Sequence, residues 1–120
     1  MPVTVAAPAS QLKADVYEEP GLDAYVVEIP VPGIRAEEIA IEVTVNTITV
    51  RTDPRRSGAD GQRKYLQREQ VLPSQSRIFE FPMALDTDNV RATLEHGILR
   101  IRAPWALAGR QRVVRVGQAA

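Results

Sequence analysis

Few residues in this chain have the chemistry to make or break bonds. It holds one histidine, His96, and no cysteine. That leaves no thiol nucleophile, no thiolate metal site and little for a Ser-His arrangement to build on. His96 sits beside Gly97, where a turn tip in solvent is expected. Glu37 and Glu38 are adjacent carboxylates. A general acid–base pair needs two carboxyl groups aimed at one substrate, and neighbours on an exposed turn serve instead as solvated charge or a short cap. Arg55-Arg56 reads as a solvated loop tip. No glycine-rich phosphate cradle, metal-ligand spacing or nucleophile elbow occurs. The expectation is a protein that is not an enzyme and carries no metal and no cofactor. What remains is non-covalent chemistry.

Composition bounds the frame that must position such residues. At 120 residues, 44% hydrophobic and 25% charged, the chain suits one globular domain. No apolar run approaches the roughly 20 residues of a membrane helix. The N-terminus lacks the basic-then-apolar pattern of a signal peptide. A cytoplasmic location and no membrane partner are expected. Net charge is zero, but residues 1–60 carry 10 acids and 5 bases, whereas residues 61–120 carry 5 acids and 10 bases. Two readings stay open: complementary contact between copies, or two halves interleaved in one sheet. Nucleic acid is not an expected partner, because a reader of it needs a basic stripe with interleaved aromatics. Here three tyrosines, two phenylalanines and one tryptophan are scattered.

The elements follow from apolar periodicity. Residues 1–13 have no period and read as a flexible arm. A strand is expected at 14–19, ended by Pro20-Gly21. A second at 23–31 places Tyr25, Val27, Ile29 and Val31 on one face, with Pro30 marking an edge or strand end. Ile39, Ile41, Val43 and Val45 alternate with polar or small residues, Asn46-Thr47 turns, and Ile48 and Val50 resume the alternation. Such β-branched runs of period two are strands. Residues 53–62 form a polar loop. Phe79 and Phe81 face inward from a strand at 77–82, and residues 85–89 form a polar turn. In residues 90–102, Val90, Ala92 and Leu94 share a face, as do Leu99 and Ile101, around a His96-Gly97 turn that needs positive φ. Pro104 ends the last core strand, and Trp105 and Leu107 fall in a linker. The sum is an all-β sandwich of about seven to nine strands, immunoglobulin-like in layering.

Several of these stretches, in order, carry a resemblance. Ala92, Leu94 and Gly97-Ile98-Leu99 resemble the hallmark of the alpha-crystallin domain of small heat-shock proteins, and a bacterial member is expected. Asp15-Val16-Tyr17-Glu18 is similar to the segment that begins that domain. Val31-Pro32-Gly33 followed by Glu37-Glu38-Ile39 resembles its Pro-Gly loop. Tyr65 to Glu69 and Ser76 to Pro82 resemble the segment between the loop and the next strand, although Pro73 and Gln75 stand where glycine and phenylalanine are usual. Val114-Arg115-Val116 resembles the C-terminal I-x-I motif.

The resemblance implies three parts: an N-terminal arm at 1–13, an alpha-crystallin domain at 14–103 and a C-terminal extension at 104–120. It implies an ATP-independent holdase chaperone whose partners are non-native client proteins and further copies of itself, as a homodimer and higher oligomer. In such proteins an exchanged loop strand pairs with the neighbour, here 63–67 with Lys64, Tyr65 and Leu66. The C-terminal motif enters a groove, here between 39–45 and 90–94, with Ile41, Val43, Val90 and Ala92 as candidate lining. A plain core role for those four, and a last strand of the same domain for 113–116, remain open. So do two other functions, a CS-domain-like protein-binding adaptor and a dimeric assembly component with weak chaperone activity. Burying two valines contributes about 3–5 kcal/mol before the tail is ordered. Docking is therefore weak singly and strong only when multiplied.

Overall fold

A computed structural model describes residues 12–54, 63–69 and 73–106. Val114 and Val116, most of the N-terminal arm and residues 55–62 lie outside them. Among the described residues seven strands run in chain order: β1 Asp15–Glu19, β2 Ala24–Pro30, β3 Ile39–Val43, β4 Thr47–Thr52, β5 Gln75–Glu80, β6 Arg91–Glu95 and β7 Ile98–Pro104. They form two antiparallel sheets, one ordered β1-β2-β7-β6 and the other β3-β4-β5.

Alternation makes the layers. In the first sheet Val16, Val27, Ile101 and Ala92 stand opposite one another across all four strands, and Ile29, Leu99 and Leu94 do so across three. In the second sheet the matching rows are Ile41, Val50, Arg77 and Val43, Ile48, Phe79. Facing rows bury Val27, Ile29, Ile48, Val50, Phe79 and Ile101 completely. Tyr25 stacks on Phe81, with ring centroids 4.7 Å apart, and on Trp105 at 5.6 Å.

Period two does not explain β2, where Ala24 and Val26 on the outer face are also fully buried. Register supplies the reason. Val26 lies between Tyr17 and Arg102. Long side chains close over it: Arg102 Nε bonds Glu19 at 2.6 Å, Arg100 meets Glu28 at 3.3 Å, and the Tyr17 hydroxyl donates to Glu28 at 3.1 Å. Their apolar stems cover what their charged ends leave in water. Acids from the first half and arginines from the second thus meet on one sheet face, as the interleaved reading of the charge asymmetry requires.

The hairpin of β6 and β7 turns at His96 and Gly97, with φ of 54° and 75°. Two successive left-handed residues make the primed turn that matches strand twist. Other boundaries differ from expectation. The β3–β4 turn falls at 44–47 because the Thr44 hydroxyl accepts from the amides of Asn46 and Thr47, at 3.3 and 3.0 Å. That turn exposes Val45 at its tip. Glu38 is buried instead of solvated: it accepts from the Arg35 amide at 2.8 Å and closes a 3-10 turn at Ala36–Glu38. Leu85, expected in a polar turn, belongs to the core and bridges Trp105.

The folded unit also reaches past the expected ends of the domain. Leu12 is only 5% exposed and joins the core, although sequence placed it in the arm. Trp105 and Ala106, read as linker, are docked by main-chain bonds to Asp23 and Ala84, each 2.8 Å.

Candidate docking groove

Each sheet of a two-layer sandwich ends in two edge strands, so the sandwich has two open sides. One bond fixes which edges meet. Arg77 of β5 donates from Nη1 to the Leu12 carbonyl at 3.0 Å, and Leu12 precedes β1 by two residues. The β1 and β5 edges therefore share one side, and β3 and β6 share the other.

On the β3/β6 side no described residue covers the inward rows completely. Ile41 and Val43 pair across the ladder with Val50 and Ile48, both fully buried, so they point toward the same face. Yet both remain partly exposed, as does Ile39. On β6 Ala92 pairs with the fully buried Ile101 and must also point inward, but Ala92 is exposed. Val90 and Leu94, one on either side of it, are partly buried. A short side chain flanked by two longer ones, facing a second apolar row, makes a notch suited to an aliphatic knob.

The four residues expected from sequence as groove lining, Ile41, Val43, Val90 and Ala92, thus lie on this one side of the sandwich. It also draws on Ile39 and Leu94, which lie in the same alternating runs and could have been included on that signal alone. Its rim is polar. Glu42 and Arg51, one strand apart on the outer face, pair at 2.8 Å, and Arg91 donates to the carbonyls of Asp88 and Val90 at 3.1 and 3.0 Å. Among the described residues both strands are sheet edges, so each has one main-chain side with no neighbouring strand.

The expected exchange strand falls within residues 63–69. Residues 63–69 form no strand with the described residues of their own chain, Leu66 is 100% exposed and Tyr65 is 39% exposed. Arg68 lies over the Tyr65 ring, 4.6 Å from its centre. The fully exposed Leu66 side chain is chemically suited to an apolar contact with another chain.

No group of histidine, aspartate and glutamate side chains among the described residues is placed to hold a metal ion. His96 is exposed at its turn. Among the described residues no helix is long and apolar enough to cross a membrane.

Comparison with known proteins bears on the same residues. Residues 17–116 match the Hsp20/alpha crystallin family. The chain is 34% identical over 96 residues to the 18 kDa heat shock protein of Streptomyces albus G, covering 80% of this chain and 67% of that one. It is 32% identical over 96 residues to the 18 kDa antigen 1 of Mycobacterium intracellulare, covering 80% and 63%. The match thus leaves about a third of each relative's length unaccounted for. Among solved structures, heat shock protein 16.0 from Schizosaccharomyces pombe superposes with a TM-score of 0.67 at 21% identity, over 90% of this chain and 97% of that one. A small heat-shock protein from Xylella fastidiosa, described as having a distinct high order structure, superposes with a TM-score of 0.62 at 26% identity, over 89% and 96%.

Proposed function

The chain belongs to the Hsp20/alpha-crystallin family, and from that membership we propose that it is an ATP-independent holdase chaperone. It captures partly unfolded proteins reversibly on apolar surface and so limits their aggregation. It works without a cofactor and is not an enzyme. Its partners are further copies of itself and non-native clients in the cytoplasm, with no role for nucleic acid or membrane.

One observation carries this reading: two edge strands expose the inward apolar rows of Ile41, Val43, Val90 and Ala92 on one open side. The natural occupant within the assembly is the Val114-Arg115-Val116 tripeptide of the C-terminal extension. Its two valines reach the same side of an extended backbone. Valines fill the notch less fully than larger aliphatic residues, so each docking is weak and many together hold an oligomer. Release of the tail frees the groove for a client, and assembly and capture then compete for one surface. The segment with Lys64, Tyr65 and Leu66 joins two copies into a dimer by pairing with the partner's sheet edge.

The test is a light-scattering assay in which a heat-sensitive client is warmed with and without the protein, no nucleotide being present. Suppression at near-stoichiometric ratios with co-elution in large complexes supports the holdase. A folded dimer that suppresses nothing overturns it in favour of an assembly component. Changing Val114 and Val116 together to Ala shrinks the oligomer to dimers; an unchanged mass by light scattering would remove the tail from the assembly.

A further inference from the structure

β6 ends its sheet with a main-chain side that no described strand covers. The turn after it fixes which groups face that side. His96 and Gly97 are the whole loop, so Glu95 and Ile98 close the hairpin as a hydrogen-bonded pair. Glu95, Thr93 and Arg91 therefore direct their main-chain groups to β7, whereas Ala92 and Leu94 turn theirs to the open side. A proline or an inward-facing charge would blunt such an edge, and β6 has neither. Its two charges, Arg91 and Glu95, share the outward face and are exposed. Among the described residues neither forms an ion pair, and Arg91 donates only to the carbonyls of Asp88 and Val90.

We infer that β6 pairs antiparallel with β6 of a second copy, about a two-fold axis at Thr93, so that the two sheets join edge to edge. Read backwards, the strand is its own complement. Arg91 of each copy stands opposite Glu95 of the other, and Thr93 stands opposite Thr93. These are non-hydrogen-bonded positions, where facing side chains approach most closely. Ala92 of each copy exchanges both main-chain bonds with Leu94 of the other, and on the inward face the longer side chain meets the exposed shorter one. A one-residue slip would set inward side chains against outward ones, and a two-residue slip would leave Arg91 or Glu95 without its opposite. No other edge strand of the described residues is built this way. β1 and β3 contain no cation, and in β5 Arg77 and Glu80 lie on opposite faces. The contact is separate from the dimer proposed through Tyr65 and Leu66. It takes the Ala92 notch, so a copy paired through β6 holds no tail there.

The experiment uses the full chain, which has no cysteine of its own. Thr93→Cys sets two thiols opposite each other with Cα atoms about 4.5 Å apart, within the roughly 4.4–6.8 Å that a disulfide spans. Under mild oxidation it is expected to form a covalent dimer, read on a non-reducing gel, about tenfold faster than Glu37→Cys on an exposed turn. Adding Arg91→Glu sets like charges opposite one another and slows the cross-link about tenfold; adding Glu95→Arg as well restores opposite charges and the rate. Cross-linking no faster than that of Glu37→Cys overturns the proposal. So does a rate that Arg91→Glu leaves unchanged, or one that the double reversal does not recover. Should Thr93→Cys fail to fold, hydrogen exchange decides, in the chain with Val114→Ala and Val116→Ala so that no tail shields β6. The Ala92 and Leu94 amides are expected to exchange more slowly as protein concentration rises, while those of β7 stay constant. Exchange of Ala92 and Leu94 that is independent of concentration would end the idea. Neither assay reads client aggregation, so its outcome is distinct from that of the holdase test.

Discussion

Replacing Ala92 by leucine separates an open groove from a filled core by the sign of its effect. Ala92 points to the same face as the fully buried Ile101 but is itself exposed. Leucine adds three carbons, worth about 0.8 kcal/mol each when fully buried. In a notch open on one side about half of that is realised, or about 1 kcal/mol of added stability. For a domain of this size that raises Tm by about 4–8 °C. The new side chain also occupies the space proposed for one valine of the tail. Losing that valine's pocket, at about 1.5–3 kcal/mol, weakens docking by about ten- to a hundredfold. The expected result of Ala92→Leu is therefore a more stable chain in a smaller assembly. Thermal unfolding by circular dichroism and mass by light scattering read the two effects. A close-packed site gives the reverse, since overfilling a core costs about 1–3 kcal/mol. A lowered Tm would show that Ala92 already has its neighbours and that no notch exists. A raised Tm with unchanged mass would leave the notch intact but remove it from assembly.

Two further predictions test the frame. The Tyr25 hydroxyl is buried and makes no hydrogen bond of good geometry among the described residues; burial raises its pKa above the ordinary 10.0, outweighing the lowering by a poorly aligned Met83 backbone contact, and Glu18 adds a smaller push upward. The neutral phenol therefore belongs to the folded state. Its contribution is complete below about pH 10 and is lost as pH rises toward the folded value, because the unfolded chain releases the proton first. Tyr25→Phe should be neutral or stabilising by about 1 kcal/mol at pH 7, since it removes an unpaired polar group. It should also flatten the alkaline fall in stability, read by urea unfolding at pH 8 to 11 in steps of about one pH unit; an unchanged alkaline slope would refute the assignment. Gly97→Ala should cost about 1–2 kcal/mol. The cost comes from φ of 75° and not from crowding, since an added Cβ would meet only the Pro32 Cα at 3.7 Å. Gly97→Asn should recover part of the loss, because asparagine tolerates left-handed backbone, and equal losses for both variants in urea unfolding would point to crowding instead.

Period-two alternation and turn residues determined, from sequence alone, that this is an all-β sandwich and where most strands lie. Backbone pleating enforces that period locally, so Val27, Ile29, Ile48, Val50, Phe79 and Ile101 could be placed inside without coordinates. The order of motifs along the chain also pointed to the family. Three features needed the tertiary structure. Val26 is buried because Tyr17 and Arg102, from distant parts of the chain, are its neighbours in register. Leu12 is core because a β5 arginine holds its carbonyl, 65 residues away in sequence. Ile41, Val43 and Ala92 carry the same inward pattern as their buried partners, and their exposure follows from lying on edge strands on a side that no described residue covers. Alternation reports which face a side chain takes. Whether that face is covered depends on which strands are neighbours, and that is a property of the whole chain folded together.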